Sequence, residues 1–164
     1  MRVDNGYWRW NIRQVGMIRG DLIAAVKGFE GLRLDAYICA GGRWTIGYGH
    51  TKGVQEGDTC TKEEATAFLL QDLADAAALV DGIDFEFNAN QRDALTDFVF
   101  NLGIGNLLRS TLLRKIKAGA SESEIRQEFR RWVYAGGEVQ RGLVRRREWE
   151  ENMYFCKVEI EADE

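Results

Sequence analysis

The stretch Phe29-Glu30-Gly31-Leu32-Arg33-Leu34-Asp35-Ala36-Tyr37-Ile38-Cys39-Ala40-Gly41-Gly42-Arg43-Trp44-Thr45-Ile46-Gly47-Tyr48-Gly49-His50-Thr51 decides how this chain reads. Aromatic and β-branched residues (Tyr37, Ile38, Trp44, Ile46, Tyr48) alternate there with glycines. That mixture predicts short strands, with Gly41-Gly42 as the hairpin turn between two of them. Glu30 closes a different pattern: Leu22, Ile23, Val26 and Phe29 recur at helical spacing, with Asp21 as N-cap or first-turn acid and Gly31 as the stop. An acid at a helix C-terminus meets the negative end of the dipole, which disfavours the charged carboxylate. A general acid working near neutral pH needs that bias. From position alone, a solvated Glu is the commoner reading.

Downstream the period turns helical. Thr61 with Glu64 forms a capping box ahead of Phe68, Leu69, Leu73, Ala76, Leu79 and Val80, and Gly82 ends the stripe. Further helices are expected from Asn90 to Gly103 and from Ser110 to Lys117. Another opens at Ser121 with Glu124 and runs through Ile125, Phe129, Trp132 and Val133 to Gly136-Gly137; the last covers about residues 143–155. Gly103 and Gly136-Gly137 read as helix stops. The fold class is α+β. A small N-terminal antiparallel β-sheet lobe (about 31–60) and a mainly helical C-terminal lobe (about 83–155) are joined by the long helix from Thr61, leaving a cleft between them. Residues 1–16 stand apart as an extension, with Tyr7, Trp8 and Trp10 among Arg2, Arg9 and Arg13. Such a mix either touches membrane or lipopolysaccharide or packs as a dull extension. Residues 157–164 read as a frayed acidic tail.

At 164 residues, 45% apolar and 29% charged, the chain suits one globular domain. No apolar run reaches membrane-spanning length, and the N-terminus has neither the apolar core nor the cleavage site of a signal peptide. Accumulation in the cytoplasm is therefore expected. The net charge of −4 conceals a segment, residues 109–147, with 11 basic and 4 acidic side chains. That segment suggests either a face for a polyanion or ordinary solvated helix faces. Three cysteines without a C-x-x-C pair are neither a disulfide framework nor a zinc spacing, and they fit a reducing compartment. The single His50 excludes any site with two His ligands, so no cofactor or metal is expected. No basic-aromatic recognition motif supports nucleic-acid binding.

Glu30, eight residues, Cys39, five residues and Thr45, closing in Thr45-Ile46-Gly47-Tyr48-Gly49-His50, form a compound pattern. It resembles the signature of the phage-type lysozymes, the endolysins of glycoside hydrolase family 24. The similarity continues through Gln71-Asp72, Asn90-Gln91-Arg92-Asp93-Ala94-Leu95, Phe98-Val99-Phe100-Asn101-Leu102-Gly103, Arg131-Trp132-Val133-Tyr134-Ala135-Gly136-Gly137 and Gly142-Leu143-Val144-Arg145-Arg146-Arg147-Glu148. It implies a single lysozyme-like catalytic domain over residues 17–156, acting as a monomer on peptidoglycan. The reaction implied is hydrolysis of the β-1,4 bond between N-acetylmuramic acid and N-acetylglucosamine, generally with inversion. The enzyme would wait in the host cytoplasm until released onto the periplasmic wall.

Residue by residue, the resemblance makes Glu30 the acid that protonates the leaving oxygen, and gives Thr45 a part in holding water on the opposite side. Many members have Asp where this chain has Cys39. A thiol is mostly neutral at pH 7, so Cys39 acts as a thiolate base or nucleophile, or else only packs. Tyr37 and Asn101 match cleft-lining positions, Thr111 is a further sugar contact, and one of Arg145-Arg146-Arg147, taken as Arg145, approaches the substrate while the others are solvated. His50 and Asp72 form a structural pair that is strongest while His50 is charged. Trp132 reads as lobe core. Two other readings stay open: a lytic transglycosylase giving 1,6-anhydro products, which works with a single Glu, and a non-catalytic wall-binding module.

Overall fold

The structure is a computed structural model that describes residues 18–157. The extension at 1–16 and nearly all of the acidic tail lie outside the described residues. The elements are helix α1 (Gly20–Glu30), strands β1 (Arg33–Ile38) and β2 (Trp44–Gly47), and helices α2 (Lys62–Asp81), α3 (Ala89–Leu102), α4 (Ile104–Arg109), α5 (Thr111–Lys117) and α6 (Glu122–Arg130). Strands β3 (Tyr134–Ala135) and β4 (Glu138–Val139) and helix α7 (Arg141–Phe155) complete them. The fold is α+β and lysozyme-like. Two compact units divide within α2, one running to Asp75 and the other starting at Ala76.

In the first unit α1 buries Leu22 and Val26 completely. Its expected acid, Asp21, sits in the first turn; Arg19 is the N-cap and makes no side-chain capping bond. Gly31, at φ 69°, caps the C-terminus and sends the chain straight from Glu30 into β1. β1 and β2 pair antiparallel, with Tyr37 opposite Thr45 and Ile38 opposite Trp44, and an irregularity between Arg33 and Tyr37. The hairpin turn is closed by Gly42 N–H donating to the Cys39 carbonyl (2.8 Å) and Cys39 N–H to the Arg43 carbonyl (3.0 Å). Residues 58–60 line the outer side of β1, with Ala36 N–H donating to the Asp58 carbonyl and Cys60 N–H to that of Leu34, both at 2.9 Å. The expected capping box opens α2: Thr61 N–H donates to Glu64 Oε2 (2.8 Å) and Glu64 N–H to Thr61 Oγ1 (3.1 Å).

The second unit packs Leu95, Phe98, Leu107, Leu112, Ile116, Phe129 and Tyr154 into one core. Trp132 meets the Phe98 ring edge-on at 5.3 Å, the core role expected for it. Three expectations need correction. The helix from Ser121 ends at Arg130, short of Trp132 and Val133. Gly136-Gly137 is the turn of a second small hairpin, β3–β4, rather than a helix stop; φ values of 60° and 83° are those a tight reversal takes from glycine. Helix α4 was not foreseen, since it starts at Gly103 without a side-chain cap.

Candidate active site

Glu30 is the last residue of α1 and is exposed. A Cβ placed on Gly49 would stand 3.4 Å from Glu30 Oε2, and Gly49 itself has φ 92°. The loop after β2 therefore runs close past the carboxyl because it carries no side chain there. The Ile46–His50 bridge fixes that loop, with reciprocal N–H to carbonyl bonds of 2.9 Å.

Cys39 and Thr45 come together across the hairpin. Thr45 is buried, and its hydroxyl donates to the Arg43 carbonyl at 3.0 Å. With the thiol neutral, S–H can donate to Thr45 Oγ1. With the thiolate, the Thr45 hydroxyl turns its single proton to sulfur. The Thr45 hydroxyl and the backbone N–H groups of Arg43 and Gly41, aided by the Arg43 charge, hold the Cys39 thiol below the usual thiol range, outweighing the opposing effect of burial. Cys60 shows the contrast: burial and the nearby Glu64 and Asp35 carboxylates push its thiol up. All three cysteines are free.

Tyr37, opposite Thr45, shares its sheet face by strand geometry and carries Arg33 stacked on its ring, with the guanidinium carbon 4.2 Å from the centroid. His50 and Asp72 meet as expected. His50 Nδ1 lies 2.8 Å from Asp72 Oδ2, its Nε2 lies 3.0 Å from the Lys52 carbonyl, and its ring stacks on Phe68 at 4.7 Å. Glu30, Tyr37, Cys39, Thr45, His50 and Asp72 all belong to the first unit.

Asn101, Thr111 and Arg145 belong to the second. Asn101 accepts from Arg147 Nη2 at 2.8 Å, and Thr111 Oγ1 accepts from Arg114 at 3.3 Å. Of the arginine run, Arg145 is exposed as a substrate-facing residue requires. The expectation that its neighbours are solvated fails. Arg146 is buried in a two-bond pair with Asp97 (2.8 and 3.0 Å), and Arg147 is fully buried against Glu150 (2.7 Å). Asp97, which holds Arg146, and Asn101, which accepts from Arg147, lie with Asp93 at helical spacing on one face of α3, the sequence signal that was missed. Part of the basic segment is paired in the same way: Lys115 and Arg131 with Glu128, and Arg126 and Arg130 with Glu151.

The phage lysozyme family matches residues 27–150. The endolysin of Acyrthosiphon pisum secondary endosymbiont phage 1 is 41% identical over 137 residues, covering 80% of this chain and 93% of that relative. The SAR-endolysin of Enterobacteria phage PA-2 is 42% identical over 125 residues, 75% of either protein. Among solved structures, the muramidase domain of SpmX from Asticaccaulis excentricus superposes with a TM-score of 0.77 at 35% identity, covering 85% of this chain and 98% of that one. The endolysin from Escherichia coli phage FAHEc1 does so with a TM-score of 0.72 at 31% identity, covering 85% and 94%. The chain belongs to the phage lysozyme family. It is a glycoside hydrolase of the peptidoglycan-degrading, cell-lysing kind. Among the described residues no helix is long and apolar enough to cross a membrane, and no group of side chains could hold a metal ion.

Proposed function

We propose that this chain is an endolysin hydrolysing the β-1,4 bond between N-acetylmuramic acid and N-acetylglucosamine. Glu30 protonates the leaving glycosidic oxygen. A water on the opposite side of the sugar attacks the anomeric carbon and gives its proton to the Cys39 thiolate. The products are a reducing-end sugar and a free hydroxyl, and solvent returns Glu30 and Cys39 to their starting protonation states. Thr45 is a positioning residue: buried beside Cys39, it acts through the sulfur. What supports this reading is the setting of the Cys39 thiol, which the Thr45 hydroxyl and the Arg43 and Gly41 amides hold below its usual range. They favour the anion that a base must be.

Tyr37, Asn101, Thr111 and Arg145 supply sugar contacts, and the enzyme acts as a monomer, without cofactor, on the periplasmic wall after release from the host cytoplasm. A lytic transglycosylase has no use for a stabilised thiolate on the second face, so the donors around Cys39 favour hydrolysis. A module that only binds wall polymer is at odds with membership of an enzyme family. The test is clearing of chloroform-permeabilised Gram-negative cells. Wild type clears them. Glu30→Gln clears about 10²-fold or more slowly while still sedimenting with the wall. Clearing at the wild-type rate by Glu30→Gln overturns the assignment.

A further inference from the structure

We infer that Arg33, stacked on Tyr37 beside the Cys39–Thr45 pair, binds a carboxylate of the peptidoglycan stem peptides; this rests on the proposed peptidoglycan hydrolysis. Arg33 opens β1 and is exposed, yet its guanidinium is parked 4.2 Å from the Tyr37 ring centroid. Tyr37 faces Thr45 across the sheet, and Thr45 holds the Cys39 sulfur. Arg33, Tyr37, Thr45 and Cys39 thus form a row leading away from the proposed reacting atoms.

The ring covers one flat face of the guanidinium and leaves its N–H edges outward. Among the described residues no carboxylate or carbonyl accepts from Arg33. Asp35 lies two residues along β1 and forms no ion pair with it, and its own backbone is bridged to Thr59. A guanidinium that is charged, exposed and held flat is suited to two parallel bonds to a carboxylate. Stacking has already removed part of the side-chain freedom that binding would cost. In intact peptidoglycan the lactyl carboxyl of N-acetylmuramic acid is tied up in the amide to the stem, so the free carboxylates lie on the peptides. A cation a few residues from the proposed cleavage machinery therefore selects stems whose carboxylates are free over stems whose carboxylates are capped.

The test measures kcat/KM on intact sacculi and on the same sacculi with their peptide carboxylates converted to neutral amides, with melting temperatures confirming the fold. The readout is the preference of each protein for the intact substrate. Wild type prefers it. Arg33→Gln loses about fivefold of that preference, the scale of an exposed charge pair. Arg33→Lys, which keeps charge without the planar fork, loses part of it. An unchanged preference in Arg33→Gln, or equal losses on both substrates, overturns the inference. If wild type itself releases no reducing ends from either substrate, the proposed hydrolysis is what fails.

Discussion

The Thr45 hydroxyl stands beside the Cys39 thiol across the β1–β2 hairpin and is the largest influence holding that thiol below its ordinary range. Thr45 is 3% exposed, and Cys39 is half-exposed at the turn. The hydroxyl donates to the Arg43 carbonyl at 3.0 Å, and it can turn its proton to the sulfur once the thiol ionises.

Thr45→Val removes the hydroxyl and keeps the shape. With one donor gone, the Cys39 thiolate is less favoured and its pKa rises. The rate of alkylation by iodoacetamide, followed against pH, reports the thiolate. Its midpoint in Thr45→Val is expected above that of wild type. Coincident profiles would show that the hydroxyl does not govern the sulfur.

Cys39→Ala removes the base, and activity on sacculi is expected to drop about 10²-fold or more. Cys39→Asp puts there a carboxylate that is ionised at neutral pH. It is expected to retain turnover and to lose the inactivation by thiol reagents that wild type shows. Full activity in Cys39→Ala would reduce Cys39 to a packing residue. A covalent sugar adduct on Cys39, seen by mass spectrometry with retention at the anomeric centre, would make it a nucleophile instead of a base.

The Asp97–Arg146 pair is expected to be worth far more in truncation than a surface pair. Both side chains are buried, and two bonds of 2.8 and 3.0 Å join them. Asp97→Ala leaves a buried guanidinium uncompensated and should lower unfolding free energy by about 3–5 kcal/mol. Urea midpoints check this; a loss below about 1 kcal/mol would mean that water reaches the pair.

Glu150 gives stability a pH dependence of defined sign. Burial, first of all, and then the neighbouring Asp97 carboxylate push it well above 4.5, against the pull of Arg147. The folded state therefore keeps a proton that the unfolded chain releases. The stability gained is full below the ordinary carboxylate pKa and is lost as pH rises through the folded value. Glu150→Gln keeps an acceptor for Arg147 and cannot ionise. Wild type should lose stability relative to Glu150→Gln as pH rises above the ordinary carboxylate range and through the raised folded value, read from urea midpoints. A constant difference would contradict the burial argument.

Local signals were legible where a few neighbouring residues decide the outcome. The Thr61–Glu64 and Ser121–Glu124 capping boxes form as their spacing predicts, and Gly31 ends α1 beside Glu30. The Glu30, Cys39 and Thr45 spacing marked the site because one helix end and one hairpin carry all three. What was missed depends on distant partners or on very short elements. The β3–β4 strands are two residues each, too short for any alternation to appear. Arg146 and Arg147 read as solvated because arginine usually is. They are buried because α3 brings Asp97 and Asn101, nearly fifty residues earlier, to meet them. Glu128 and Glu151 likewise pair with four of the basic side chains of residues 109–147, which a charge count along the chain does not reveal.

Hydrolysis with Glu30 as the acid and a water activated at Cys39 puts solvent oxygen into the product, so digesting sacculi in heavy-oxygen water and weighing the released muropeptides gives the decisive reading. The expected products are reducing-end sugars carrying one heavy oxygen, formed by wild type and not by Glu30→Gln. Unlabelled 1,6-anhydro products from wild type would show that no water attacks the anomeric carbon and that the chain is a transglycosylase.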